Sequence, residues 1–256
     1  MKKYRNRTPI ASYPKDFLLL DKLGSQFPPY KPTFLTEILY LNDHHRFYSC
    51  CPTKGDLIEM GIKGFLRQAD ALKLYELAYH SLGDILEMGS AWGLSTSILC
   101  QAIADSGRYR KVISLEIDPL FYNATCRQIA ELHLADYLES HRCDAREFCP
   151  VLIKNKRQVG FAFIDHCHSY EATCVACQHL QELIMPGGFV LFHDFNDERN
   201  RTDFPAFGVY QGVVENLSEN QFIFLGIFGC SALYRKQTLT ERLKKRWQKF
   251  LIKPTK

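Results

Sequence analysis

The feature that most constrains this chain is a series of short apolar runs, each followed by a stretch with helical spacing. Residues 84–88, 111–116, 159–164 and 188–192 are strand-length. Val159-Gly-Phe-Ala-Phe-Ile164 and Gly188-Phe-Val-Leu-Phe192 are apolar throughout. A strand apolar on both faces is buried on both, which a sheet achieves when helices cover it on each side. The intervening stretches supply those helices, at 94–104, 119–134, 145–153 (a helix or turn) and 170–184. A short third strand falls near 140–142. A helix at 66–82 precedes the first strand and gathers Ala71, Leu74, Leu77 and Ala78 on one face. Alternating strands and helices predict an α/β fold with a doubly wound, mostly parallel sheet. Beyond residue 192 the pattern changes to a helix at 208–217 and two strands, 221–228 and 231–234, separated by Gly229. Such a tight pair suits an antiparallel C-terminal hairpin closing the sheet edge.

At 256 residues, one domain with extensions is the expected organisation. Residues 1–63 read as an N-terminal extension capping a substrate site. They hold Pro28, Pro29, Tyr30, Pro32 and Phe34, with short elements around 36–41. Residues 64–234 form the body and 235–256 a basic C-terminal helix or tail. With 46% apolar and 23% charged residues, the composition is that of a globular protein. No apolar run approaches the roughly 20 residues of a membrane helix. The start lacks the apolar stretch of a signal peptide, so a cytoplasmic location is expected. The ten cysteines are scattered, and Cys100, Cys126 and Cys230 sit in apolar patterns as small hydrophobes.

The net charge of +4 is unevenly spread. Lys2, Lys3, Arg5 and Arg7 give the first ten residues +4. Residues 235–256 carry nine Lys/Arg against the single acid Glu241, leaving residues 11–234 at −8. An acidic body argues against a nucleic-acid-binding core. The tail places Leu239, Leu243, Trp247, Phe250 and Leu251 near helical spacing among lysines and arginines. It can lie on a membrane surface or pack on the body with a solvated basic face. Packing is the preferred reading. A homo-oligomer is compatible with the sequence.

The segment Ile85-Leu-Glu87-Met-Gly89-Ser90-Ala-Trp-Gly93-Leu-Ser95-Thr96 is a strand, a glycine turn and a helix start. Glycine permits the sharp turn and a close approach to a ligand, and the helix start offers free N–H groups. The spacing is G-x-x-x-G, not the G-x-G-x-x-G of dinucleotide folds. A tight turn without a ligand fits it as well. Glu116 ends the next strand at the same sheet edge, where a carboxylate can accept both hydroxyls of a ribose. Asp144 follows the third strand and can reach an adenine amino group or cap the next helix.

Read in order, Glu87-x-Gly89-x-x-x-Gly93-x-Ser95-Thr96, Glu116-x-Asp118-Pro119, Ile164-Asp165-x-x-His168-Ser-Tyr170-Glu171 and Pro186-Gly187-Gly188-x-x-x-x-His193-Asp194 resemble class I S-adenosylmethionine-dependent methyltransferases. The similarity spans about residues 64–234. The branch it most resembles holds the metal-dependent sugar and macrolide O-methyltransferases and the cephalosporin-hydroxylase-like proteins. The resemblance implies a Rossmann-like methyltransferase fold binding S-adenosylmethionine. Glu87, Gly89 and Ser95 would frame the methionine end, Ser90 and Gly93 would also belong to the cofactor site, Glu116 would bind the ribose, and Asp144 with Ala145 would lie near the adenine. Ala91 and Trp92 fill a turn that is often richer in glycine in this family.

Asp165 and His168 follow one apolar strand, and His193 and Asp194 follow another. The carboxyl ends of parallel strands share one edge, so these four should gather beside the glycine turn. Two close carboxylates call for a proton or a cation between them. Mg²⁺ or Mn²⁺ held by Asp165, His193 and Asp194 would lower the pKa of a substrate hydroxyl, although His193 stands where the metal-dependent branch often has an acid. His168 would take the hydroxyl proton, a role the resemblance supports. The expected activity is methyl transfer to a hydroxyl on a small-molecule acceptor of sugar or natural-product type. Arg199 and Arg201, in the loop over 195–207, hint at an anionic or hydroxyl-rich acceptor. The rival readings are a non-catalytic cofactor-binding or interaction module and a nicotinamide-dependent oxidoreductase. Cys174-x-x-Cys177 lies in a helical stretch with no second pair, so zinc is set aside, and Cys50-Cys51 is read as packing.

Overall fold

The computed structural model describes residues 57–58, 61–201 and 206–251. The elements expected around 36–41, and Cys50-Cys51, lie outside the described residues.

Helix α1 (Gln68–His80) leads into β1 (Ile85–Met88), α2 (Leu94–Asp105), β2 (Val112–Glu116), α3 (Pro119–Glu131) and β3 (Leu138–Arg142). Then come α4 (Ala145–Lys154), β4 (Val159–Ile164), α5 (Tyr170–Leu183) and β5 (Ile184–Phe192). The chain continues through α6 (Val209–Asn216), β6 (Phe222–Phe228) and β7 (Ser231–Lys236) to α7 (Leu239–Leu251). Among the described residues, seven strands form one sheet in the order β3-β2-β1-β4-β5-β7-β6. Strands β1 to β5 run parallel, and β7 enters antiparallel between β5 and β6. The expected fold class is therefore observed, hairpin included.

The strands are apolar at both parities because each face meets its own helix layer. Phe161 and Phe163 of β4 pack into one core with Leu74 of α1, Ile98 of α2 and Ile129 of α3. Their neighbours Ala162 and Ile164 pack into the other, with Leu152 of α4, Leu180 of α5 and Val213 of α6. Local chemistry sets where the helices begin. Asp118 caps α3 by accepting from Leu120 N at 2.7 Å, and Pro119 fills the first helical position. Asp144 caps α4 and Ser169 caps α5.

The sequence pattern starts β5 at residue 188, after a Pro-Gly turn, but the strand begins at Ile184. Pro186-Gly187-Gly188 lies within it, opposite a register shift between Val159 and Phe161 of β4. A Cβ at Gly188 would press on the Gly160 carbonyl, so this glycine permits the irregular pairing.

The tail does form a helix. Its described apolar side chains Leu239, Leu243 and Trp247 are exposed, whereas the preferred sequence reading packs that face on the body. Among the described residues, no helix is long and apolar enough to cross a membrane.

Candidate active site

The carboxyl ends of the parallel strands share one edge of the sheet, and a cleft of about 420 Å³ opens along it after β1, β2, β3 and β4, with His193 and Asp194 after β5 outside its lining. That size lies within the usual range for small-molecule sites. Gly89, Glu116, Asp144, Ala145, Asp165 and His168 all line it. Glu87, Ser90, Gly93 and Ser95 stand behind the lining rather than in it. Met88, Phe121 and Ala172 give the walls an apolar character, and His166 and Cys167 add polar edges. Met88, Phe121 and Ala172 were not singled out in the sequence as site residues.

Glu87 is fully buried beneath the glycine turn. Its carboxylate accepts from Ser95 Oγ, Thr96 Oγ1 and Ser114 Oγ, each at 2.6 Å. Burial raises its pKa to about 7, against the pull of those three hydroxyls. Glu87 thus ties the start of α2 to the middle of β1 and β2. Gly89 has φ +91°, and a Cβ there would strike the Asp165 carbonyl. Glycine lets the turn close on the loop after β4 and so brings Asp165 to the cleft.

Glu116 Oε2 accepts from Ser90 N at 3.1 Å and Ala91 N at 2.9 Å, and its Oε1 accepts from Asp118 N at 3.0 Å. A carboxylate has about four acceptor positions, so about one stays open to the cleft. Asp144 is indeed the cap of α4, accepting from Arg146 N at 2.8 Å. The Arg146 side chain, hydrogen-bonded to that carboxylate, holds its pKa below the usual range.

The four groups after β4 and β5 do converge. His168 Nε2 lies 3.0 Å from Asp194 Oδ2 and 3.6 Å from Asp165 Oδ1. His193 Nδ1 lies 3.1 Å from Asp165 Oδ1 and 3.6 Å from Asp194 Oδ1. Donor atoms of Asp165, His168 and Asp194 fall within 4.8 Å of one another, close enough to share one ion. Asp194 is held in the left-handed region at φ +55°. Asn200 Nδ2 fixes that turn by donating to the carbonyls of Asp194 (2.8 Å), Phe195 (3.2 Å) and Asp197 (3.1 Å).

Burial disfavours the charged form of His168, but hydrogen bonds to Asp165 and Asp194 outweigh it and push its pKa up to about 9. Burial likewise opposes charge on His193, and Asp165 drives its pKa upward. The Asp194 carboxyl is held far below the ordinary range by the His193 and His168 charges, against burial. Arg199 lies 2.6 Å from Asp197 and 3.5 Å from Asp194, with its guanidinium 4.2 Å from the Phe207 ring centroid. It therefore serves these acids and is not a plain signal for an anionic acceptor.

Behind His193 lies a set of residues that no sequence motif marked. Cys230 Sγ is 3.1 Å from His193 Nε2. Asp70 of α1 accepts from Cys230 N and Ser231 N, both at 3.1 Å. These contacts span 160 residues or more, and no periodicity links positions so far apart.

Residues 86–195 match a family model described as a methyltransferase domain. No curated protein matches the chain by sequence. Among solved structures, the chain is similar to an O-methyltransferase from Bacillus cereus in complex with SAH, at 17% identity and TM-score 0.54. That match covers 68% of this chain and 82% of the other. It is also similar to the O-methyltransferase TomG from Streptomyces achromogenes, involved in tomaymycin synthesis, at 19% identity and TM-score 0.54. There the coverage is 86% of this chain and 96% of the other. A third is a putative rRNA-methylase from Clostridium thermocellum, at 15% identity and TM-score 0.50, covering 65% and 96%.

Proposed function

We infer, from the premise that residues 86–195 match a methyltransferase domain, that this protein methylates a hydroxyl on a small-molecule acceptor with S-adenosylmethionine as donor. The observation that carries the reading is the junction of the cleft with the Asp165–His168–Asp194 cluster. Asp165 and His168 line the cleft and also belong to the cluster. A bound cofactor and an acceptor hydroxyl would therefore meet beside an imidazole flanked by two carboxylates.

The cleft fits the cofactor in character. It has apolar walls at Met88 and Phe121, a carboxylate with an open acceptor position at Glu116, and the α4 start at Asp144 and Ala145. Bound there, S-adenosylmethionine supplies a methyl group already activated by its sulfonium. The protein's own task is then to align the acceptor oxygen and take its proton. His168 sits at the junction and is the acid–base group. Asp165 and Asp194 orient its ring and stabilise the imidazolium that forms. Phe207, stacked on His168 with ring centroids 5.2 Å apart, holds the imidazole from the other side.

The donor set also suits a divalent ion. Asp165 and Asp194 would hold it, and His193 Nδ1, 3.1 Å from Asp165 with its Nε2 against Cys230, would stand beside it. Such an ion would supply positive charge that favours the ionised acceptor. The rRNA-methylase named among the similar structures makes the acceptor atom the part to be tested.

The test is transfer of labelled methyl from S-adenosylmethionine to a panel of sugars and phenols, with wild type and His168→Asn compared. Turnover on a hydroxylated acceptor should fall by about 10²–10⁴ in the variant, with S-adenosylhomocysteine affinity retained. A His168→Asn protein with wild-type turnover removes the acid–base role. Label appearing only on amines or RNA removes the hydroxyl acceptor.

A further inference from the structure

All five parallel strands begin at the sheet edge opposite the cleft. Strand β7 runs the other way, so it ends at that same far edge. There Arg235 pairs with Phe189 near the irregular start of β5, and Lys236 Nζ donates to the Ile184 carbonyl at 2.7 Å. Helix α7 therefore leaves the domain from the side remote from the cleft. Thr238 and Glu241 form a capping box at its start, with Thr238 N donating to Glu241 Oε2 at 2.8 Å. Glu241 also pairs with Arg235 at 2.7 Å.

Two properties of α7 stand together. Leu239, Leu243 and Trp247, four residues apart on one face, are 60%, 46% and 71% exposed. From residue 242 to 256 the sequence holds seven Lys/Arg and no acid. An exposed apolar stripe with a tryptophan, flanked by a basic face, is the pattern of helices that lie in a membrane interface. The far edge adds a second, separate observation. Leu82 before β1 and Tyr109 before β2 are 81% and 78% exposed. Exposed Arg108 adjoins Tyr109, and Lys111 Nζ lies 5.4 Å from the Tyr109 ring centroid. An amphipathic aromatic beside basic side chains suits the headgroup layer.

We propose that α7 docks this protein on an anionic lipid bilayer, with Leu239, Leu243 and Trp247 entering the acyl boundary and its basic residues meeting the headgroups. Charge selects this occupant. Residues 11–234 carry −8 and residues 242–256 carry +7, so an anionic surface attracts the tail and repels the body. The protein then binds with its far edge toward the lipid and its cleft toward water, where a soluble acceptor enters.

The experiment is co-sedimentation of the full chain with vesicles of phosphatidylcholine alone and of phosphatidylcholine mixed with phosphatidylglycerol. The protein should pellet with the mixed vesicles and stay in solution with the neutral ones, and added salt should release it. Each basic charge removed should weaken partition by about fivefold, so Arg242→Glu with Lys244→Glu should abolish pelleting. Leu243→Ser with Trp247→Ser should abolish it too, with the melting temperature of the domain unchanged. In the unaltered protein, Trp247 emission should shift to the blue on anionic vesicles, a change missing from Trp247→Phe. The proposal is overturned by no pelleting on either vesicle, by equal pelleting on both, or by either double variant pelleting as wild type. It is also overturned if the Leu243 and Trp247 changes only abolish self-association, which would assign the stripe to a second copy of the chain.

Discussion

His168 and Glu87 are both titratable groups held away from their ordinary pKa, in opposite senses as to charge. His168 keeps its proton up to about pH 9, so it accepts a proton only after losing one. In enzyme treated with chelator, kcat/KM should therefore rise with pH and level off above about 9. A divalent ion between Asp165 and Asp194 competes with that proton and should move the rise to lower pH. A profile unchanged by Mg²⁺, Mn²⁺ and chelator would remove the metal from the account. Glu87 has a native pKa of about 7 against 4.5 as the ordinary value. Between those values the native state binds more protons than the unfolded chain, so stability falls as pH rises from 4.5 to 7. Over that window the loss is about 3 kcal/mol. Glu87→Gln cannot ionise, and its melting temperature should be flatter across the same window. An equally steep variant would mean that another group sets the slope.

At the scale of elements, Asp70 joins α1 to the β6–β7 turn. Its carboxylate takes the backbone N–H groups of Cys230 and Ser231 and the Ser231 hydroxyl at 2.5 Å. Asp70→Ala would leave two buried N–H groups without an acceptor, at about 1–3 kcal/mol each. Denaturant unfolding should show a loss of about 2–6 kcal/mol, and Asp70→Asn, which keeps an acceptor oxygen, a smaller one. Equal stability of Asp70→Ala and wild type would show that water replaces the carboxylate. Elements governed by local signals were legible in the sequence. The wholly apolar β4 and the cap at Asp144 are examples. The early start of β5 was not, because Pro186-Gly187-Gly188 has the composition of a turn and becomes an irregular strand only against Gly160. The Asp70–Cys230–His193 contacts were not legible either, since the fold alone brings them together.

For the molecule as a whole, the parallel topology places chemistry on one edge and the basic helix on the other. The gathering of Asp165, His168, His193 and Asp194 was readable in advance, because strand ends in a parallel sheet share an edge. Their roles were less so. His193 faces Asp165 with one nitrogen and Cys230 with the other, and only the three-dimensional structure shows that division. Glu116 likewise ends its strand as expected, yet spends most of its acceptor capacity on the glycine turn. A thermal melt with S-adenosylhomocysteine checks the claim that the cleft beside this turn holds S-adenosylmethionine. At about 100 times Kd, a single site should add about 2.7 kcal/mol and raise the melting temperature by a few degrees. The rise should shrink in Glu116→Ala. No rise at any ligand concentration, in a protein that melts cooperatively, would contradict the claim and leave the glycine turn a structural corner.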